Sequence, residues 1–185
     1  MQIYLQYKKK FAWKIYYAYV CITNQLNTMD LYRAQQLAVE LMTKHDLITQ
    51  GWRFKFDTAK RRFGCCNYTY KQITLSKALV LVNDEARVKN TILHEIAHAI
   101  VGRGHGHDWV WRQKAIQIGC DGKRCYSSNN TTTPESKYIA VCSTCGHIHK
   151  KHRLTTHKIT ACGLCCKGTF QARYILKFEL NPKYL

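Results

Sequence analysis

A predicted helix ending at Gly102 constrains the fold most, because it carries a metal-binding pattern on one face. It contains His94-Glu95-Ile96-Ala97-His98, in which the two histidines are four residues apart. Residues at this spacing share a helix face, so both imidazoles can bind one zinc ion. Glu95 then lies beside the metal and can take a proton from water. The same five residues also occur by chance on helices with two surface histidines, so a third ligand has to decide between the two interpretations.

The third ligand has to come from beyond this helix. The metzincin spacing fails, because no histidine lies six residues after His98. A glutamate ligand on the next helix also fits poorly, since no glutamate follows before Glu135. The remaining donors are His105 and His107, in a glycine-rich turn that can fold back to the metal. The residues alone leave both open.

The surrounding segment, residues 29–120, predicts an α+β unit. Three short stretches with strand-forming or alternating apolar residues predict a small sheet: 52–56, 64–68 and 72–76. Three segments combine a capping residue with apolar residues at helical spacing and predict helices: Asp30 to Lys44, Asn83 or Asp84 to Val101, and Asp108 to Gly119.

The composition changes on both sides of this unit. Residues 1–28 alternate aromatic residues with lysines and form an extension of uncertain status. Residues 121–137 have the polar composition of a linker. Residues 138–185 are short, basic and rich in cysteine, and we predict a separate zinc-ribbon module there. The apolar run near the N-terminus is interrupted by Lys14 and is too short to span a bilayer, so we expect a cytoplasmic protein with no membrane partner.

Two C-x-x-C pairs separated by sixteen residues lie in the C-terminal module: Cys142, Cys145, Cys162 and Cys165. This spacing is typical of a structural zinc site, in which four thiolates leave no open position on the metal. Cys166 follows Cys165 directly, so the sequence leaves open which of the two is the ligand. Two disulfides are the alternative interpretation.

The chain has 29 lysines and arginines against 11 acidic residues, a net charge of +18, which favours a polyanionic partner. Many of the basic residues lie in the ribbon module, with Tyr138, Phe170 and Tyr174 among them. Such a module can contact phosphates and stack on exposed bases of DNA with single-stranded character. The candidate contacts are Lys150, Lys151, Arg153, Lys158, Lys167 and Arg173.

Several motifs in a fixed order resemble the SprT-like zinc metallopeptidases, and in particular short members of the Spartan type. These motifs are Gly51-Trp52, Arg62-Phe63-Gly64-Cys65, Ile73-Thr74-Leu75-Ser76, Thr91 to Ala99, and His105-Gly106-His107-Asp108-Trp109. The resemblance implies a minimal zincin-like core with a catalytic zinc ion on His94, His98 and His105. It also implies a second, structural zinc ion in the C-terminal ribbon.

The resemblance further implies a peptidase that cleaves proteins bound or crosslinked to DNA, with Glu95 activating the water. Its location would then be the cytoplasm at the nucleoid, or the nucleus in a eukaryote. Two other functions remain open. One is a non-catalytic, zinc-dependent nucleic-acid adaptor, although the retained Glu95 argues against it. The other is a peptidase specific for one regulatory protein.

Overall fold

A computed structural model describes residues 28–125, 131–155 and 157–184, and the chain divides into two compact units between Thr133 and Pro134. The predicted N-terminal extension lies outside the described residues apart from Thr28. Residues 126–130 of the predicted linker also lie outside them. The described chain is α+β, as the sequence predicts, with a three-stranded sheet in each unit.

The described part of the first unit has four helices: α1 Leu31–Lys44, α2 Lys77–Val80, α3 Glu85–Val101 and α4 Trp109–Gln117. The three long helices begin at the predicted aspartates. The carboxylates of Asp30, Asp84 and Asp108 each accept a hydrogen bond from the backbone N–H three residues later. Gly102 ends α3 with a positive φ of 81°, a conformation that favours glycine.

The sheet of the first unit contains β1 Arg53–Asp57, β2 Gly64–Asn67 and β3 Gln72–Ser76. β3 lies in the centre, parallel to β1 and antiparallel to β2. α3 packs against β2, β3, α1 and α4. Its residues Ile92 and Ile96 are fully buried, and this packing fixes the opposite edge of the helix, which carries the histidines.

The second unit has an antiparallel sheet of β4 Tyr138–Val141, β5 Ile148–Lys151 and β6 Glu179–Leu180, with β4 in the centre. A short helix, α5, spans Gly163–Cys166, and two 3₁₀ turns follow at Ala172–Tyr174 and Pro182–Tyr184. Its buried cluster is small and includes two of the predicted zinc ligands, Cys142 and Cys162. Among the described residues, no helix is long and apolar enough to cross a membrane.

Candidate metal centres and active site

The side chains of three histidines come together on one face of α3. His94 and His98 come from the helix, and the loop after it brings His107 to them. The Nε2 atom of His107 lies 3.0 Å from Nε2 of His94 and 3.1 Å from Nε2 of His98. Three imidazole nitrogens therefore point at one small volume.

His105 does not join this cluster, which corrects the prediction made from the family motif. Its Nδ1 atom lies 3.0 Å from the Asp108 carboxylate, at the cap of α4. The structure instead brings in His107, the other donor that the residues had left open. The sequence thus identified the turn that supplies the third histidine, and the structure places His107 in the cluster where the resemblance implied His105.

The difference in burial between Trp109 and Trp111 explains why His107, and not His105, lies with the other two histidines. Trp109 is 72% exposed, whereas Trp111 is 1% exposed and belongs to the core. The Trp111 ring stacks on His98 at 5.1 Å between centroids and lies 4.6 Å from His94 and 4.6 Å from His107. A histidine followed four residues later by an aromatic residue fits both His105–Trp109 and His107–Trp111, and only the second pair packs against the other two histidines.

Burial keeps the histidine cluster uncharged. It lowers the pKa of His94 to about 3 and that of His98 to about 4, and it also lowers the pKa of His107. The charges of His98 and His107 add to the effect on His94, and the charge of His107 adds to the effect on His98. At neutral pH the rings are therefore neutral, which is the form of imidazole that binds metal ions.

Glu95 follows His94 on α3 but is directed toward the sheet and is 7% exposed. Burial raises the pKa of its carboxyl group to about 8, while the charge of Arg62 and a hydrogen bond from the backbone N–H of Cys66 act in the opposite direction. The pKa of this carboxyl group is therefore close to neutral pH, and the group is held against β2.

Gly64, the first residue of β2, leaves the space that Glu95 occupies. A Cβ atom at position 64 would lie 2.6 Å from Oε1 of Glu95 and 2.8 Å from its Cγ. Any larger residue would therefore displace the carboxylate. Gly64 belongs to a predicted motif, but its contact with Glu95 joins a strand to a helix distant in sequence, and no local signal reveals it.

The histidines and Glu95 line one cavity of about 790 Å³. Its wall includes the start of β2, one face of α3, the loop that carries His107, Asp121 and residues 123–125. Three neutral imidazoles and a buried carboxyl group thus share a space open to a ligand. Such a set of groups is suited to metal-assisted hydrolysis.

The donor geometry of the histidine cluster fits zinc. Zinc binds imidazole nitrogen at about 2.0–2.1 Å in a tetrahedron, whose corners are then about 3.3 Å apart. The Nε2 separations of 3.0 and 3.1 Å are close to that value. These three residues supply three corners, as in catalytic zinc sites, where the fourth belongs to water or substrate.

The second unit contains a four-thiol cluster of Cys142, Cys145, Cys162 and Cys165. The Sγ atoms of Cys142 and Cys165 are 3.8 Å apart, and those of Cys145 and Cys162 are 3.7 Å apart. Corners of a zinc–sulfur tetrahedron with bonds of about 2.3 Å are about 3.8 Å apart. All four cysteines are free, so the structure contains neither of the two disulfides considered as an alternative.

The neighbourhood of the cluster favours the thiolate form of Cys142, whereas the pKa values of Cys145 and Cys165 are raised. Hydrogen bonds from the backbone N–H groups of Cys145 and Thr144 lower the pKa of Cys142 to about 6. The Nε2 atom of His149 lies 3.2 Å from Sγ of Cys162. Of the two adjacent candidates, Cys165 belongs to the cluster, whereas Cys166 is buried outside it.

The family comparison agrees with the architecture of the first unit. The family model described as the SprT-like family matches residues 32–133. The chain belongs to the SprT-like family. Membership indicates a zinc-metallopeptidase-like fold for the first unit, and the match covers the described helices and strands of that unit from the second residue of α1 onward. No curated protein matches the chain.

The second unit of this SprT-like protein presents most of the predicted nucleic-acid contacts to solvent: Lys150, Arg153, Lys158, Lys167 and Arg173. Lys151 differs, because its Nζ atom donates to Thr160 Oγ1 at 2.5 Å and lies 4.5 Å from the centroid of the Phe178 ring. Neighbouring residues on a strand point to opposite faces, so Lys150 and Lys151 belong to different sides of β5. Among the predicted aromatic residues, Phe170 is 59% exposed.

Proposed function

We propose that this SprT-like protein is a zinc-dependent metalloendopeptidase that acts on proteins bound or crosslinked to DNA. One observation carries the catalytic part: three neutral imidazole nitrogens and a buried glutamate line the same cavity. A helix with two surface histidines would require neither the third histidine nor a buried carboxyl group beside them.

His94, His98 and His107 would hold the catalytic zinc ion. When bound, zinc lowers the pKa of a coordinated water to about 7 and polarises the peptide carbonyl group. Trp111 keeps the three rings in place through its contacts with all of them. The packing of α3 against α4 and the loop between these helices bring the three rings together.

Glu95 would act as the general base and then as the general acid. Its carboxylate accepts a proton from the attacking water, and the carboxylic acid later donates this proton to the leaving amine. A general base works best with a pKa near the working pH, and burial shifts that of Glu95 in this direction. The N–H of Cys66 and the space at Gly64 fix its position.

The ribbon would bring the peptidase to DNA. Its cysteine cluster would hold a structural zinc ion, and the exposed cations and Phe170 supply phosphate and base contacts. A protease with an open cleft is confined when binding to DNA raises its concentration near DNA-bound proteins. The charge of +18 supports a polyanionic partner of this kind.

Cleavage of a DNA-binding protein by the zinc-loaded chain, with and without single-stranded DNA, tests this proposal. We expect DNA to accelerate cleavage and added salt to remove the acceleration. Glu95→Gln should lose about 100- to 10,000-fold in rate, the usual contribution of a general base, and keep both zinc ions. Glu40→Gln, an exposed position on α1, is the matched control and should behave as wild type.

Two other outcomes of the same assay would favour the two alternative functions, a nucleic-acid adaptor or a peptidase specific for one protein. Equal products from wild type and Glu95→Gln would contradict catalysis at this site and indicate an adaptor. Cleavage at a single bond of one protein, insensitive to DNA and salt, would contradict the DNA-directed part and leave the peptidase in place.

A further inference from the structure

The cavity of the proposed peptidase is strongly cationic. Among the residues that the structure describes, six basic side chains line it: Arg61, Arg62, Arg87, Arg103, Lys123 and Arg124. The acidic groups in the same lining are Glu95, which is buried, and Asp121, whose carboxylate accepts a hydrogen bond from the backbone N–H of Lys123. Arg62 is also paired with Asp57 at 2.8 Å, just outside the lining. The cations come from four separate segments, and a cleft in which positive charges predominate concentrates ligands of the opposite sign.

Two of these arginines are held in place by neighbouring side chains. Arg103 donates from Nη2 to Thr69 Oγ1 at 2.7 Å, and its guanidinium lies 5.7 Å from the centroid of the Tyr68 ring. A guanidinium has five N–H donors, so one such bond orients the group and leaves donors for a ligand. Arg87 donates to Thr91 Oγ1 at 3.0 Å.

The two oriented arginines lie on either side of the histidine cluster along α3. Arg87 precedes His94 by seven residues, which places it on the same helix face about 10 Å away along the axis. Arg103 follows the end of the helix at Gly102 and is anchored beside Tyr68, whose hydroxyl donates to the carbonyl of Gly102 at 3.2 Å. An extended peptide advances about 3.3 Å per residue, so about three residues separate the histidines from Arg87.

We infer that the cleft selects protein segments with acidic side chains a few residues from the scissile bond, and that Arg103 and Arg87 bind those carboxylates. Arginine is suited to this task because its planar group can bind a carboxylate through two hydrogen bonds. Lys123 and Arg124 add to the positive field. The inference rests on the proposed peptidase function. It favours a peptide over nucleic acid as occupant, because these cations surround the groups that a peptide bond has to reach.

Matched peptides test this selectivity. The zinc-loaded full chain is given quenched fluorescent peptides that differ only in having glutamate or glutamine two to four residues from the cleaved bond, on either side. We expect kcat/KM for the best glutamate peptide to exceed that of its glutamine partner about tenfold at low salt, the scale of one charge-assisted hydrogen bond. Added salt should reduce this ratio, since the cleft is open to solvent.

The variant Arg103→Gln should lower the glutamate-to-glutamine ratio toward 1 for acidic residues on one side of the scissile bond. Arg103→Lys, which keeps the charge but not the planar group, should retain part of the ratio. The control is Arg53→Gln on β1, an exposed arginine outside the cavity lining, which should keep the full ratio.

Three results would overturn the inference. Equal cleavage of both peptides by wild type would refute the selectivity and leave the peptidase standing. A ratio of 1 combined with weaker oligonucleotide binding by Arg103→Gln would assign these cations to nucleic acid. Failure of zinc-loaded wild type to cleave any peptide or DNA-bound protein would refute the peptidase proposal itself, and the selectivity with it.

Discussion

Replacing Gly64 by alanine is expected to displace Glu95 without removing any of the proposed zinc ligands. The backbone of Gly64 has no positive φ, so its conformation in β2 is one that alanine can adopt. A substitution of this kind without a clash would stabilise the fold by about 0.4–1 kcal/mol through the unfolded chain. The effect of the added methyl group therefore depends on its contact with Glu95.

The structure shows how closely an added Cβ atom would approach Glu95. The new Cβ would lie 2.6 Å from Oε1 of Glu95 and 3.0 Å from its Cδ, whereas ordinary contacts begin at 3.4 Å. The carboxylate must therefore move by about 0.8 Å. A misplacement of about 1 Å at a reacting group can cost about 100-fold in rate, and overpacking a core costs about 1–3 kcal/mol. We expect a loss of about 100-fold in kcat/KM with a modest loss of stability.

The assay compares kcat/KM on one peptide substrate with the zinc content and the melting temperature of the same preparation. Gly106→Ala is the matched control, because Gly106 lines the same cavity but a Cβ atom added there would meet nothing within 4 Å. It should keep nearly wild-type kcat/KM. Wild-type kcat/KM and stability in Gly64→Ala would refute the assigned role of Gly64 and the position of Glu95.

Three further predictions follow from the two metal centres. Trp111→Ala should destabilise the fold by about 3–5 kcal/mol and Trp109→Ala by less than about 0.5 kcal/mol, because only Trp111 is buried. Urea unfolding measures both values, and equal effects would contradict the placement of Trp111, rather than Trp109, in the core. Burial lowers the pKa of His94 to about 3 and of His98 to about 4, below the 6.5 of unfolded histidine, so the unfolded state binds more protons between these values. The metal-free protein should therefore lose stability as the pH falls below about 6.5, and a urea midpoint that stays constant down to about pH 5 would oppose this. Cys145→Ser should remove one of the two zinc ions, as counted by native mass spectrometry, and should weaken DNA binding while peptide cleavage continues. Retention of both ions would contradict the four-cysteine zinc site.

Local signals were sufficient to predict most of the first unit. Asp30, Asp84 and Asp108 cap helices because a short carboxylate reaches the free backbone N–H groups of the first turn, whatever the helix later packs against. The C-x-x-C pairs predicted the thiol cluster for a similar reason, since a short loop holds two thiols near one point.

The third histidine depends on packing that the sequence does not display. His105 and His107 lie in the same turn, and each is followed four residues later by a tryptophan. Only the burial of Trp111 against α3 selects His107, and this burial results from contacts between two helices. The space that Gly64 leaves for Glu95 depends in the same way on how β2 packs against α3.

The most direct test of the account is the zinc content of His107→Ala beside that of His105→Ala, measured by native mass spectrometry on the full chain. The account predicts two zinc ions in wild type and in His105→Ala, and one in His107→Ala, because only His107 contacts the other two histidines. Two ions in His107→Ala together with one in His105→Ala would contradict it.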